Sequence, residues 1–263
     1  MSIENLVKKD SKVYHSYFFE FHRRLLVLRL VQRYCPKGSL VLDLGASPFI
    51  ISCALNRMGY KVIAVDVDPE PYKWMASECD VGVCKCDLER ERVCLGDGEA
   101  DCAVFSEVLE HLNPYYVNHT LWEINRVLKI GGFLVLTTPN IASLFRRIRL
   151  LIGKQPQYKL HVHEYTMSEV TELLQKHGFK IIEAKYSEIN DLTYVDTNTL
   201  EEYMKIYNYL DLIRTCLRKP TSLNMLRALA YPIVKMIPTL RMLIVIIARK
   251  ERNDAPISAI ERW

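Results

Sequence analysis

The order of apolar runs along this chain predicts an α/β fold with a mostly parallel sheet covered on both faces. Three observations carry that expectation: short β-branched runs without polar alternation, helix-period segments between them, and glycine punctuation where they join. Strands are expected at 39–44 (SLVLDL), 61–65 (KVIAV), 81–86, 101–105 (DCAVF) and 133–137 (FLVLT). Helices fall between them at 48–58, near 70–78, and at 114–129, where Leu121, Ile124, Val127 and Leu128 share one face. Gly131 and Gly132 end the last of these. Further on, 167–177 reads as a helix stopped by Gly178, and 180–186 as a strand. Residues 199–217 and 223–237 read as apolar helical segments, and 242–248 as a seventh strand.

The result is a Rossmann-like doubly wound sheet with a helical insertion before its last strand. We read it as one domain over 1–263: N-terminal helices at 1–38, a core at 39–186, an insertion and substrate cap at 187–240, the last strand at 241–251, and a tail at 252–263. The 263 residues include ten glycines and eleven prolines, ordinary numbers that exclude collagen-like and low-complexity chains. A net charge of +4 is too small to imply nucleic-acid binding. Residues 1–12 lack the apolar core of a signal peptide. The most apolar stretch, 223–248, carries Arg227, Lys235, Arg241, Pro232 and Pro238, against the roughly 20 apolar residues a spanning helix needs. A cytoplasmic protein, at most peripheral to a membrane, is therefore expected. The eight cysteines follow no disulfide framework and lack paired C-x-x-C knuckles, so reduced thiols are expected.

In doubly wound sheets ligands bind outside the carboxyl ends of the strands. After the first strand the chain reads Asp43-Leu44-Gly45-Ala46-Ser47-Pro48; Gly45 permits a tight turn, Ser47 suits a helix N-cap and Pro48 the first helical position. The second strand ends in Asp66, followed by Val67. A carboxylate there offers two acceptor oxygens to the vicinal hydroxyls of a ribose. The third ends in Asp87-Leu88, where an acid can accept from an exocyclic amine. A nucleoside fits these turns. The G-x-G-x-x-G of a dinucleotide site is absent, and Asp43 would repel a pyrophosphate but suits a cationic, amino-acid-bearing nucleoside such as S-adenosylmethionine.

VLDLGA (41–46), VIAVDVDP (62–69), CDLE (86–89), FSEVLEHL (105–112), EINRVLKIGGFLVLTTPN (123–140) and HVHEYTMSEVTELLQKHGF (161–179) together resemble the class I S-adenosylmethionine-dependent methyltransferases. More narrowly they look like the branch holding the ubiquinone-biosynthesis O-methyltransferases and many small-molecule enzymes. The resemblance implies a seven-stranded sheet whose last strand is antiparallel. It also implies cofactor contacts from Asp43, Gly45 and Ala46 (methionine moiety), Asp66 with Val67 (ribose), Asp87 with Leu88 (adenine), and Ser106 and Glu107 beside the sulfonium. The family's D-x-G-x-G-x-G keeps only its first glycine here, so Ser47 and Phe49 must point away from the cofactor or reshape its pocket.

Methyl transfer needs an aligned nucleophile and, for a hydroxyl, a group that removes its proton. Glu107, Glu110 and His111 follow the fourth strand at i, i+3 and i+4, a spacing that a helical turn gathers onto one face. They could hold Mg²⁺ or Mn²⁺ that lowers a substrate hydroxyl's pKa or, without metal, His111 or His161 could serve as the general base. An E-x-x-E-H motif joined by a later histidine resembles the metal site of small-RNA 2′-O-methyltransferases. That resemblance implies His161, with His163 the alternate, as the further ligand or base. The same residues could instead tie the turn to the 161–166 loop.

On the substrate side, 144–154 (LFRRIRLLIGK) mixes Arg146, Arg147 and Arg149 with six large apolar residues, a pattern that suits phosphate groups or an anionic membrane, or a helix packing one face. With the apolar insertion, it makes a lipid-linked, glycan or otherwise hydrophobic small-molecule acceptor more attractive than a bare sugar, while the weak net charge argues against nucleic acid. Tyr14, Tyr17 and Phe18 either close over a ligand or belong to the core. An O-methyltransferase is thus the leading reading. A metal-dependent RNA 2′-O-methyltransferase and a non-catalytic cofactor-binding module are the alternatives.

Overall fold

The structure, a computed structural model, describes residues 3–254. Three helices come first: α1 (Ile3–Val7), α2 (Ser11–Phe19) and α3 (Phe21–Tyr34). The sheet and its covering helices then alternate: β1 (Leu40–Leu44), α4 (Ile50–Arg57), β2 (Lys61–Asp66), α5 (Lys73–Glu78), β3 (Gly82–Lys85), β4 (Ala100–Ser106), α6 (Pro114–Val127), β5 (Leu128–Pro139). They continue through α7 (Leu144–Leu151), α8 (Met167–Lys176), β6 (Phe179–Ser187), α9 (Ile189–Thr193), α10 (Tyr209–Arg218), α11 (Ser222–Met236) and β7 (Leu243–Lys250). The seven strands lie in the order β3-β2-β1-β4-β5-β7-β6, with only the last strand antiparallel. This is the Rossmann-like arrangement expected.

The central strands are buried on both faces. Val41, Leu42, Ala103, Val104 and Phe105 have no exposed surface, and each such Val, Leu or Phe side chain contributes roughly 1.5–3 kcal/mol of burial. Register places Asp43 beside Ala64 and Val104, so the ends of β1, β2 and β4 open on one edge. Sequence chemistry sets the helix starts. Asn113 accepts from Tyr115 N–H with Pro114 at the first position, and Thr166 forms a reciprocal capping box with Glu169. Arg126 donates to both oxygens of Glu123 (2.8 and 2.7 Å) and to the carbonyls of Val93 and Leu95. This pins the chain between β3 and β4.

The described chain divides into two compact units. One holds Val27–Pro139, Gln157–Lys185 and the chain from Val245, and so contains nearly all of the sheet. The other holds residues up to Leu26, Asn140–Pro156 and Tyr186–Ile244. It has its own core of Leu192, Val195, Ile206, Leu212, Tyr231 and Val234. There Phe18 is buried, and the Tyr14 hydroxyl donates to Glu201, so these aromatics serve packing within that unit. No described helix is long and apolar enough to cross a membrane.

The cysteines depart from expectation. Six of the eight form three disulfides: Cys35–Cys102, Cys53–Cys79 and Cys84–Cys94, with Cα separations of 6.3, 5.3 and 6.4 Å. Sequence separations of 67, 26 and 10 residues carry no signature; the pairs arise because the fold brings neighbouring elements together. Cys86 and Cys216 remain buried thiols, and burial, aided by Glu91, Glu123 and Asp87, pushes Cys86 up to about 11.

Candidate active site

The turn after β1 is left-handed at Gly45 (φ +67°), and both Gly45 and Ala46 donate backbone N–H to the Val65 carbonyl. A Cβ on Gly45 would lie 3.1 Å from Val108 Cγ1 and closer still to Cγ2, so no other residue fits there without movement. Asp66 knits the two neighbouring turns together. Its Oδ2 accepts from Ser47 N–H (2.9 Å) and its Oδ1 from Asp68 N–H (3.0 Å). Each oxygen keeps a second lone pair, the acceptor capacity a vicinal diol requires. Asp87 accepts from Glu89 N–H, and the adjacent Leu88 is buried, its carbonyl accepting from Thr120. Val67 is exposed, whereas Asp43 is buried and accepts from the Ser52 hydroxyl at 2.5 Å.

Two local expectations are corrected. α4 begins at Ile50, with Phe49 in the N-cap position, left-handed (φ +66°) and without a side-chain cap. Ser47 is therefore not the cap, nor Pro48 the first helical residue; the Ser47 hydroxyl is buried and makes no hydrogen bond among the described residues. The Phe49 ring is wholly buried, which explains how the chain tolerates bulk where the family has glycine: the ring sits in the core.

At the end of β4, Glu107 does not join Glu110 and His111 on a helical face. Its backbone is left-handed (φ +58°), and the following 3-10 turn spans only Leu109–His111. Glu107 Oε1 instead accepts from the Thr137 hydroxyl (2.9 Å), which also meets Ser106 Oγ at 2.8 Å. Glu110, His111 and His161 do converge: one ligating atom from each lies within 4.8 Å of the other two. Glu110 is buried and Oε2 accepts from the Thr138 hydroxyl at 2.9 Å. Its backbone carbonyl accepts from Val162 and His163 N–H, so the turn and the 160s loop are also tied structurally.

Both imidazoles are oriented from behind. His161 Nδ1 lies 2.7 Å from Glu164 Oε1, and His111 Nδ1 lies 3.2 Å from the Leu160 carbonyl. Both partners are acceptors when Glu164 is ionised, so each histidine donates from Nδ1 and presents its Nε2 lone pair. Partial burial, with His161 alongside, pushes the His111 pKa below its ordinary value against the pull of the Leu160 carbonyl. Imidazoles oriented by a carboxylate or a carbonyl suit either proton acceptance or metal ligation. Tyr165, 5% exposed, has a hydroxyl with no hydrogen bond among the described residues; burial, then Glu169 and Glu110, pushes it up to about 12. Sequence reading assigned no role to Thr137, Thr138, Glu164 or Tyr165. The only signals were two threonines ending an apolar strand and an acid between aromatic residues.

A methyltransferase-domain family model matches residues 14–184, so the chain belongs to that family and is a methyltransferase. Its fold is that of the class I, S-adenosylmethionine-dependent enzymes. The chain is 22% identical over 204 residues to an uncharacterized protein of Methanocaldococcus jannaschii, a match spanning 69% of this chain and 78% of that one. A SAM-dependent methyltransferase from Archaeoglobus fulgidus superposes with a TM-score of 0.58 at 23% identity, covering 90% of this chain and 100% of that one. The 1,6-didemethyltoxoflavin-N1-methyltransferase of Burkholderia thailandensis, solved with bound 1,6-didemethyltoxoflavin and S-adenosylhomocysteine, matches with a TM-score of 0.54 at 15% identity, covering 90% of this chain and 85% of that one.

Proposed function

We propose that the chain transfers a methyl group from S-adenosylmethionine to a hydroxyl oxygen of a small-molecule, lipid-linked or glycan acceptor. The convergence of Glu110, His111 and His161 at the end of β4 carries this reading. When bound, S-adenosylmethionine supplies a methyl carbon already activated by its sulfonium. Asp66 accepts from the ribose hydroxyls, Asp87 faces the adenine amine, and Gly45 and Ala46 line the methionine moiety. Ser106 and Glu107, locked through Thr137, hold the sulfonium end.

His161 Nε2, or His111 Nε2, takes the acceptor's hydroxyl proton as the oxygen displaces S-adenosylhomocysteine from the methyl carbon, so no charge is left unbalanced. Glu164 stabilises the imidazolium that forms on His161. One carboxylate with two imidazoles is a nitrogen-rich set that suits a borderline ion such as Mn²⁺ better than Mg²⁺, which prefers oxygen ligands; Glu110, His111 and His161 would hold the ion, which would lower the acceptor's pKa.

The test is transfer of radiolabelled methyl from the cofactor into lipid, quinol and glycan fractions. Glu110→Gln and His161→Asn should each lower transfer by about 10²–10⁴-fold while S-adenosylhomocysteine binding persists. A chelator separates metal from base chemistry. Undiminished transfer by both variants would refute the assignment.

A further inference from the structure

The unit formed by residues up to Leu26, Asn140–Pro156 and Tyr186–Ile244 carries two thirds of the exposed large apolar side chains, although it holds well under half of the chain. They are ordered rather than scattered. Along α11, Met225, Leu229, Ile233 and Met236 are 55, 74, 48 and 83% exposed. Their spacing of i, i+4, i+8 and i+11 places all four on one face. Along α10, Leu210, Arg214, Leu217 and Arg218 share a face and are all exposed. α7 has no buried residue, and Leu150, Leu151 and Ile152 at its end are 64, 85 and 61% exposed, beside exposed Arg149 and Lys154. Isolated surface leucines need no explanation; a stripe along a four-turn helix, repeated on two neighbouring segments, does.

Charge identifies the occupant. Residues 144–154 carry four Lys and Arg and no acid, and residues 205–241 carry seven against Asp211 alone, whereas the whole chain has an excess of only four. The exposed cations interleave with the apolar residues instead of forming a separate pole. A second copy of the chain would set these cations against their own kind. We infer that α7, α10 and α11 form a surface that docks on an anionic lipid bilayer, leucine, isoleucine and methionine side chains entering the acyl boundary and arginines and lysines meeting lipid phosphates. This docking does not depend on the methyl-transfer chemistry proposed above.

The test is co-sedimentation of the full chain with vesicles of phosphatidylcholine alone and of phosphatidylcholine with roughly 30 mol % phosphatidylglycerol. Binding to the anionic vesicles, weak binding to neutral ones, and release by salt at roughly 0.5 M are expected. Leu229→Glu with Met236→Glu, and separately Leu150→Glu with Leu151→Glu, should each weaken binding by about tenfold or more. Their thermal unfolding should be unchanged, because these side chains are exposed. Two results would overturn the inference: no vesicle binding by the unaltered chain, or variants that bind as well as it does. A concentration-dependent dimer that the same variants dissociate, without vesicle binding, would instead assign the face to a second copy. S-adenosylhomocysteine titration of these variants keeps failure of docking distinct from failure of the transferase reading.

Discussion

Replacing Gly45 by alanine perturbs the turn on which the cofactor reading depends, and the structure gives the effect two separable parts. The first is backbone: alanine at φ +67° is left-handed and costs about 1–2 kcal/mol. The second is steric: the new Cβ falls 3.1 Å from Val108 Cγ1 and closer to Cγ2, an overpacking that costs about 1–3 kcal/mol because Val108 sits in the tight turn between Glu107 and the 3-10 segment. Together, about 2–5 kcal/mol should be lost. At a few degrees per kcal/mol in a chain of this size, that lowers the melting temperature by roughly 5–15 °C. Thermal and urea unfolding measure it, with S-adenosylhomocysteine affinity as the functional readout. The double variant Gly45→Ala/Val108→Ala relieves only the steric part, so in a double-mutant cycle it should recover about half of the loss attributed to Gly45→Ala. An unchanged stability for Gly45→Ala, or no recovery in the double variant, would refute the reasoning.

Three further outcomes follow from buried groups. Arg126→Met leaves the Glu123 carboxylate, 1% exposed, without its bidentate partner, and should cost about 3–5 kcal/mol in urea unfolding; adding Glu123→Gln should restore most of it. Asp191 is pushed up to about 6 by burial, against Met242 N–H, Arg227 and Arg241. Its raised folded pKa makes its stability contribution complete below about pH 4 and lost as pH rises through about 6. The stability of the unaltered protein relative to Asp191→Asn should therefore fall by about 3 kcal/mol across that window, and a flat difference would contradict the burial account. Thiol titration of the oxidised, denatured chain should find two thiols, Cys86 and Cys216, and eight only after reduction.

Much of the architecture was legible because its signals are local. Continuous apolar runs placed all seven strands, and α6 and α8 start at the caps that Asn113-Pro114 and Thr166-Glu169 announce. What escaped depends on tertiary contact. β5 starts at Leu128 rather than 133: Leu128 pairs with Ala100, and an irregularity in the pairing carries the strand across Gly131 and Gly132. A Cβ on Gly132 would lie 2.9 Å from the Asp101 carbonyl, so that glycine permits close strand approach within β5; α6 already ends at Val127, and the two glycines do not stop it as expected. The segment expected over 199–217 is broken by Asn208, which accepts from Leu210 and Asp211 N–H and restarts the helix; that cap was readable and was missed. Glu110 and His111 were legible as a spacing, but the left-handed Glu107 was not, since nothing local marks a glutamate for positive φ. His161 followed from resemblance alone, and Glu164 and Thr138 only from the folded chain.

Calorimetric titration of the purified chain with S-adenosylhomocysteine, repeated on Asp66→Ala, tests the central claim most directly. One-to-one binding that the substitution abolishes or weakens by about tenfold or more is the predicted result, because it removes the acceptors that hold the turn and that the proposed function assigns to the ribose hydroxyls. No binding by the unaltered chain, or equal affinity for the variant, would contradict the account.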